Sequence, residues 1–113
     1  MNGNDILRGD VWWTALDPTQ GSEVRKTRPC LVLSHDTLNR LRRTIIVVPL
    51  SSAAASHPPI TVEVTCDGKP AVALTDQVRA VAKSRLRSRI EAMNPDQVRT
   101  VGAAVVQVLA LAG

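Results

Sequence analysis

Arg8-Gly9-Asp10-Val11-Trp12-Trp13 opens the stretch of sequence that decides the fold, which continues as Leu16-Asp17-Pro18-Thr19-Gln20-Gly21-Ser22-Glu23 and Arg28-Pro29-Cys30-Leu31-Val32-Leu33-Ser34. Alternating apolar side chains predict a first strand over residues 10–16. The segment 17–27 contains proline and glycine, so it predicts a polar loop rather than a helix. The nearly continuous apolar run 29–33 predicts a second strand with both faces covered. Charge is concentrated where the loop ends, and we expect the chemistry of the protein there.

Further short apolar runs and turn signals predict a small antiparallel sheet. Strands are expected over residues 44–50, 60–64, 71–74 and 78–82, the last of which is predicted to end the sheet. Asp67-Gly68 is typical of a hairpin turn, and residues 35–43 predict a short connection of about one helical turn. Five or six strands with short connections favour a strongly bent antiparallel sheet or barrel.

The C-terminal segment changes to a helical period. Asn94 is a good N-cap, Pro95 suits the first helical position, and Asp96 suits the positive end of the helix dipole. Apolar residues then recur at helical spacing, at Val98, Val101, Val105, Val108 and Ala112. We expect a terminal helix that packs this stripe onto the sheet, within a single domain over residues 1–113.

The chain is basic and rich in arginine. Its 113 residues carry a formal net charge of +4, and eleven of its fourteen basic residues are Arg. A guanidinium is a planar fork that suits phosphates and base edges, so this composition favours a polyanionic partner. A basic surface that serves only solubility is equally compatible with the charge alone.

The sequence carries no metal, redox or membrane signature. Cys30 and Cys66 have neither CxxC spacing nor an accompanying pair of histidines, so neither a zinc site nor a redox dithiol is predicted. The N-terminus lacks the apolar segment of a signal peptide, and no run is long enough to span a bilayer. We therefore expect a cytoplasmic protein without a cofactor or a bound metal.

Three blocks of sequence, in order, resemble a known family. They are the opening stretch, then Val47-Val48-Pro49-Leu50-Ser51-Ser52, and then Asp76-Gln77-Val78-Arg79-Ala80-Val81-Ala82-Lys83-Ser84-Arg85-Leu86. Together they are similar to the MazF/PemK/Kid family of toxin endoribonucleases. The resemblance implies an SH3-like barrel with a terminal helix, the CcdB/PemK plasmid-maintenance toxin architecture, usually as a homodimer. It also implies a metal-independent, sequence-selective endoribonuclease for single-stranded RNA, inhibited by a MazE-like antitoxin with an acidic, partly disordered arm.

The resemblance assigns catalysis to Arg28, Ser51 and Glu23. RNA supplies its own nucleophile, the 2′-hydroxyl, so the protein must position the phosphodiester, move protons and stabilise charge on the phosphoryl oxygens. Arg28 matches the Arg of the family's Arg-Pro pair, and its permanent charge favours electrostatic stabilisation or proton donation over general-base action. Ser51 matches the catalytic Thr/Ser position. Glu23 is expected to orient Arg28 or to accept the 2′ proton.

Structural roles for the same residues remain open from the sequence alone. Arg28 is equally suited to a salt bridge with Asp17 or Glu23, and an exposed pair of that kind stabilises a protein little. Ser51 and Ser52 are also typical of turns and caps.

The family resemblance and the basic run that begins at Arg79 together predict a wider set of RNA-binding residues around the catalytic ones. They are Ser22, Arg25, Lys26, Ser52, Asp76, Gln77, Arg79, Lys83 and Arg85. Arg87 and Arg89 are expected to be solvated. The side chains of Trp12 and Trp13 should point to opposite faces of a strand, one into the core and the other into a groove or an interface. Leu74 stands where the Kid branch has a catalytic Arg, so that arrangement is not carried over.

Two further functions are compatible with the resemblance. A gyrase inhibitor of the CcdB type shares the expected fold, but it uses aromatic C-terminal residues, whereas this sequence has Leu109-Ala110-Leu111-Ala112-Gly113 in their place. The second of these functions is that of a catalytically silent family member that only binds RNA or antitoxin. It stays open because Ser51 replaces Thr and because Ala82 stands where many relatives have Asp.

Overall fold

The computed structural model describes residues 5–16 and 27–111 of the chain. These residues form seven strands, two α-helices and two short 3₁₀ turns. The strands are β1 (Asp10–Ala15), β2 (Thr27–Val32), β3 (Thr44–Ser51), β4 (Thr61–Cys66), β5 (Lys69–Leu74), β6 (Arg79–Ala82) and β7 (Leu86–Ala92). The helices are α1 (Asp36–Leu41) and α2 (Pro95–Val108), and the 3₁₀ turns cover Thr75–Gln77 and Lys83–Arg85. None of the helices in this part of the chain has the length and apolar character that a membrane span requires.

Strand β3 lies at the centre of a curled antiparallel sheet. One edge of β3 pairs with β2, with Cys30 opposite Pro49 and Leu31 opposite Val48. The other edge is shared, because β6 pairs with the first half of β3 and β5 pairs with its last two residues. The strand order β4-β5-β3-β2-β1-β7 completes the sheet. The predicted fold, a bent antiparallel sheet with a C-terminal helix, is confirmed.

Alternate residues of β2 and β3 enter two apolar clusters on opposite faces of the sheet. Leu31 and Leu50 belong to the first core cluster, which α2 covers with Val98 and Val101. The second core cluster contains buried residues from both strands and from their neighbours: Leu16, Cys30, Val32, Ile45, Val47, Val81 and Leu86. The prediction that these two strands are covered on both faces is therefore confirmed.

Helix α2 begins and packs as its sequence predicts. The side chain of Asn94 accepts hydrogen bonds from the backbone N–H groups of Asp96, at 2.8 Å, and Gln97, at 3.4 Å. These bonds satisfy donors that would otherwise lack a partner in the first turn. The buried residues of the helix are Val98, Val101, Ala104 and Val105. Ala112, the last residue of the predicted stripe, lies outside the described residues.

The prediction that residues 78–82 end the sheet is wrong, because β7 follows them and pairs with β1. The middle of β7 is polar and exposed, so no apolar alternation marks this strand in the sequence. A buried carboxylate anchors it instead. Oδ1 of Asp10 lies 3.2 Å from Nε of Arg89, and Oδ2 accepts a hydrogen bond from the backbone N–H of Leu7 at 3.0 Å. Arg89 is therefore half-exposed and ion-paired, rather than simply solvated.

Leu31 and Leu41 offer a matched test of the first core cluster. Leu31 is fully buried, whereas Leu41 is 75% exposed. We expect Leu31→Ala to lower the free energy of unfolding by about 2–5 kcal/mol, because it leaves a cavity between the sheet and α2. Leu41→Ala should change that free energy by less than about 0.5 kcal/mol. Urea denaturation followed by Trp fluorescence measures both, and equal losses in the two variants would contradict the packing described.

Candidate functional site

The register of β2 and β3 brings the two principal candidate residues together. The observed pairing ends with Cys30 opposite Pro49, and Arg28 and Ser51 each lie two residues beyond this pair, towards the start of β2 and the end of β3. Directly opposed residues of an antiparallel pair project to the same face of the sheet. Arg28 and Ser51 accordingly line one cavity of about 460 Å³, which we call the catalytic cavity.

The catalytic cavity combines an apolar floor with polar walls. Its apolar lining includes Trp13, Pro29, Leu50 and Ile90, and its polar lining includes Arg28, Ser51, Ser52, Asp67 and Lys69. Trp13 is 41% exposed, whereas Trp12 packs against the second core cluster. The two tryptophans therefore divide between groove and core, as predicted. An exposed indole beside charged groups suits a ligand with flat bases and anionic linkages.

The hydroxyl of Ser51 is held by the turn that follows β3. Its Oγ accepts hydrogen bonds from the backbone N–H groups of Ala53 and Ala54, both at 3.2 Å. A serine hydroxyl has two acceptor lone pairs and one donor proton. Because both lone pairs are engaged, the O–H proton is what Ser51 offers to a ligand. The turn role and the catalytic role considered for Ser51 are thus compatible.

Arg28 presents an exposed guanidinium at the start of β2. Within residues 5–16 and 27–111 the side-chain ion pairs are Asp10 with Arg89 and Asp96 with Arg99, so no carboxylate of this part of the chain lies within ion-pair distance of Arg28, although Asp67 lines the same cavity. The considered salt bridges of Arg28 with Asp17 or Glu23 fall on residues that lie outside those described.

The buried thiol of Cys30 lies close enough to two guanidinium groups to feel their charge. Burial raises the pKa of Cys30 to about 11, although a side-chain hydrogen bond with Thr14 and the positive charges of Arg79 and Arg28 act in the opposite direction. Arg79 faces Val47 across the β3–β6 pair, so it shares the face that carries Cys30 and Arg28. Arg79 therefore projects from the same face of the sheet as Arg28, and its role in binding RNA stays a prediction.

Of the remaining predicted residues, those that the structure describes at positions 76–85 do not line the catalytic cavity. Asp76 and Gln77 are exposed on the turn Thr75–Gln77, where the Thr75 hydroxyl lies 2.5 and 2.7 Å from the carbonyl oxygens of Pro59 and Ile60. Nη1 of Arg85 donates a hydrogen bond to the carbonyl oxygen of Ala15 at 3.2 Å, and Nη1 of Arg87 donates to that of Ser84 at 3.0 Å. Lys83 lines a separate depression. The candidates Ser22, Glu23, Arg25 and Lys26 lie outside the described residues.

The hairpin of β4 and β5 adds two cavity residues that the sequence reasoning missed. Asp67 and Lys69 lie at its tip, and the backbone N–H of Asp67 donates to Oε2 of Glu91 at 2.8 Å. Asp67-Gly68 predicted the turn, and Asp67 and Gly68 indeed have positive φ angles of 54° and 74°. The pairing of β5 with the end of β3 carries this tip to the cavity, and no local signal reveals such a pairing.

The comparison with known families decides which family this is. Residues 7–109 match the family described as PemK-like, MazF-like toxin of type II toxin-antitoxin system. The chain belongs to this family. The Escherichia coli protein named Endoribonuclease PemK is 34% identical to this member over 93 residues, which cover 78% of this chain and 70% of that protein.

Solved structures of the same family have the same fold. The MazE-MazF structure (Form-II) from Deinococcus radiodurans has a TM-score of 0.83 at 23% identity, and it covers 96% of this chain and 98% of the solved one. MazF (Form-I) from the same organism has a TM-score of 0.78 at 25% identity, with 93% and 96% covered. A mycobacterial endoribonuclease in complex with its cognate antitoxin has a TM-score of 0.78 at 20% identity, with 96% and 98% covered. The PemK/MazF membership and architecture predicted from the sequence are confirmed.

The raised pKa of Cys30 predicts an unreactive thiol in this PemK/MazF-family chain. At pH 8, alkylation of Cys30 by iodoacetamide should be at least about a hundredfold slower in the native protein than in urea, because the reactive species is the thiolate and the side chain is buried. The same shift predicts that stability falls as pH rises from 9.0 to about 11, since there only the unfolded thiol ionises. Peptide mass mapping after timed alkylation measures the rate, and native alkylation as fast as in urea would contradict the burial.

Proposed function

We propose that this chain is the endoribonuclease toxin of a toxin–antitoxin pair and that it cleaves single-stranded RNA without a metal ion. The 2′-hydroxyl attacks the adjacent phosphodiester and expels the 5′-oxygen, which gives a 2′,3′-cyclic phosphate and a 5′-hydroxyl. Where a 3′-phosphate is the product, water then opens the cyclic phosphate. The observation that carries the proposal is the placement of Arg28 and Ser51 on one cavity. The family and the named activity of the Escherichia coli relative support it.

Arg28 supplies the charge that the transition state requires. Negative charge grows on the phosphoryl oxygens as the 2′-oxygen attacks, and a fixed guanidinium can donate two parallel hydrogen bonds to them. Arg28 carries this positive charge at the strand end without a carboxylate partner in residues 5–16 or 27–111. We therefore assign it to stabilisation of the phosphoryl charge, with donation of a proton to the 5′-oxygen leaving group as its second role.

Ser51 positions the scissile phosphate from the neighbouring strand. Its O–H is free to donate to a phosphoryl oxygen, because its Oγ already accepts from Ala53 and Ala54. The same two bonds restrict the hydroxyl to a narrow range of positions, which is the preorganisation that makes a donor effective. For the same reason, Ser51 is poorly suited to accept the 2′ proton.

Glu23 completes the proposed catalytic group. It is the only carboxylate between Gly21 and Pro29 in the sequence, and Arg25, Lys26 and Arg28 follow it within five positions. Such neighbours favour the ionised form of a carboxyl group, which is the form that accepts a proton or orients a guanidinium. A pH–rate profile of Glu23→Gln separates the two roles, because loss of a base removes the acidic limb and loss of orientation lowers the whole profile.

The proposed RNA-binding residues extend the site on both sides. Ser52 lines the catalytic cavity. Arg79 lies on the same face of the sheet as Arg28. Ser22, Arg25, Lys26, Asp76, Gln77, Lys83 and Arg85 complete the set carried over from the family resemblance. We further propose a homodimer, a MazE-like antitoxin with an acidic arm as inhibitor, and a cytoplasmic location, which two free cysteines support.

Removing the charge of Arg28 tests the core of the proposal. Wild-type protein is expected to cut a long RNA in EDTA at defined sites, which mapping of the 5′ ends reveals. Arg28→Ala should lower the cleavage rate by about 10²–10³ or more, because it removes the main electrostatic donor. The fold should be unaffected, since the side chain is exposed, and circular dichroism checks this. Arg99→Ala on α2 is the matched control, and full activity of Arg28→Ala would remove Arg28 from the mechanism.

The adjacent serines give a second, internal comparison. Ser51→Ala should cost at least about tenfold in single-turnover cleavage rate, because the variant has neither the hydroxyl donor nor the two hydrogen bonds to the turn. Ser52→Ala should cost less, since no comparable set of bonds within residues 27–111 holds that hydroxyl towards Arg28. Single-turnover rates on one mapped RNA site measure both variants. The reverse order would mean that the register assigned to the end of β3 is displaced by one residue.

A further inference from the structure

A second depression lies at the other end of β3, and four of its seven lining residues are basic. It has a volume of about 470 Å³ and is lined by Arg40, Leu41, Arg42, Arg43, Ala82, Lys83 and Ser84. We call it the basic depression. The end of α1 and the two residues that join it to β3 form one wall, and the end of β6 with the turn that follows it forms the other.

The cations of the basic depression have no acidic neighbour among the described residues, since no Asp or Glu of residues 5–16 or 27–111 lines it. In this part of the chain the ion pairs are those of Arg89 and Arg99. No ion pair is therefore formed there by the four cations of the depression, Arg40, Arg42, Arg43 and Lys83. Asp36, the carboxylate at the start of α1, accepts instead from the backbone N–H of Arg8. Four positive charges therefore share one concavity, and no described carboxylate balances them.

Backbone hydrogen bonds fix the positions from which these side chains project. The N–H of Lys83 donates to the carbonyl oxygen of Arg43 at 2.9 Å, which continues the β3–β6 ladder by one residue. The N–H of Arg42 donates to the carbonyl oxygen of Leu38, also at 2.9 Å, and ends α1. The charges are thus presented by regular structure, so little backbone ordering is needed when an anion binds.

The basic depression and the catalytic cavity lie along one strand. Seven residue steps separate Thr44 from Ser51, which corresponds to roughly 23 Å at about 3.3 Å per residue. Arg79 faces Val47, about midway along this path, and Lys83 follows the end of the same strand β6. A stacked nucleic-acid strand rises about 3.4 Å per nucleotide, so roughly seven nucleotides cover the distance.

We propose that the basic depression binds the phosphate backbone of the RNA substrate, several nucleotides away from the scissile bond. Arg40, Arg42, Arg43 and Lys83 neutralise phosphates there, and Arg79 contacts the strand between the two sites. These contacts carry no base information, so they increase affinity for long RNA irrespective of sequence. The inference rests on the proposed function, because it takes RNA to be the substrate.

Charge reversal at Arg42 tests the inference, with Arg99→Glu on α2 as a control of equal charge change. The probes are two 2′-O-methyl oligoribonucleotides of the mapped cleavage sequence, about 5 and about 20 nucleotides long, which bind but cannot be cut because they lack the nucleophile. We expect Arg42→Glu to weaken binding of the long probe by about tenfold and to leave the short probe unchanged. The slope of log Kd against log salt concentration for the long probe should fall by about 0.7 for each phosphate that the variant no longer neutralises.

The outcomes separate this inference from the proposed function. If the wild-type protein fails to cleave RNA in EDTA, the proposed function fails, and the inference fails with it. If the wild-type protein cleaves RNA but Arg42→Glu and Arg99→Glu bind the long probe equally well, only the inference is overturned. Weaker binding of a purified cognate antitoxin by Arg42→Glu, with RNA binding unchanged, would reassign the basic depression to the antitoxin and also overturn it.

Discussion

The antiparallel register between β2 and β3 is the constraint on which both the core and the proposed active site depend. It buries Leu31 and Val48 against α2 on one face, and Cys30 and Val47 in the second core cluster on the other. A slip of one residue would exchange the two faces of β2, so the hydrophobic effect specifies the register strongly. Arg28 and Ser51 each lie two residues beyond the last pair of this register, Cys30 with Pro49, and both line the catalytic cavity. Core packing thus positions the proposed catalytic pair, although neither residue belongs to the core.

The elements that the sequence predicts well are those with a local signal. β1 shows apolar alternation, β2 and β3 are continuous apolar runs, and α2 has Asn94 as a cap and a valine stripe, and all four form where expected. Each signal arises because the residue's own neighbours decide its burial or its backbone hydrogen bonds. The likeness of the opening stretch and the Ser51 block to a toxin family adds the assignment of the candidate residues, which periodicity alone does not provide.

The features that the sequence hides depend on partners distant in the chain. β7 has an exposed, polar centre and is held by pairing with β1 and by the ion pair of Arg89 with Asp10, so its own residues carry no strand period. The basic residues Arg79, Lys83 and Arg85 also lie close together in the sequence, yet the fold places them in different surroundings. Arg79 shares a face of the sheet with Arg28, Arg85 donates a hydrogen bond to the carbonyl oxygen of Ala15 at the end of β1, and Lys83 lines the basic depression. Only the tertiary structure distinguishes these roles.

The distribution of charge links stability to function in this fold. Arg28 and Arg79 lie near enough to the Cys30 thiol to oppose the rise in its pKa, yet burial prevails and the thiol stays neutral. Cys30 therefore offers these guanidinium groups no anion, and no acidic residue of the described chain lines the basic depression either. Unbalanced cations on a folded surface repel one another and are offset by bound counterions, which a polyanion displaces. An RNA strand bound as proposed, from the catalytic cavity to the basic depression, would displace these counterions at both sites.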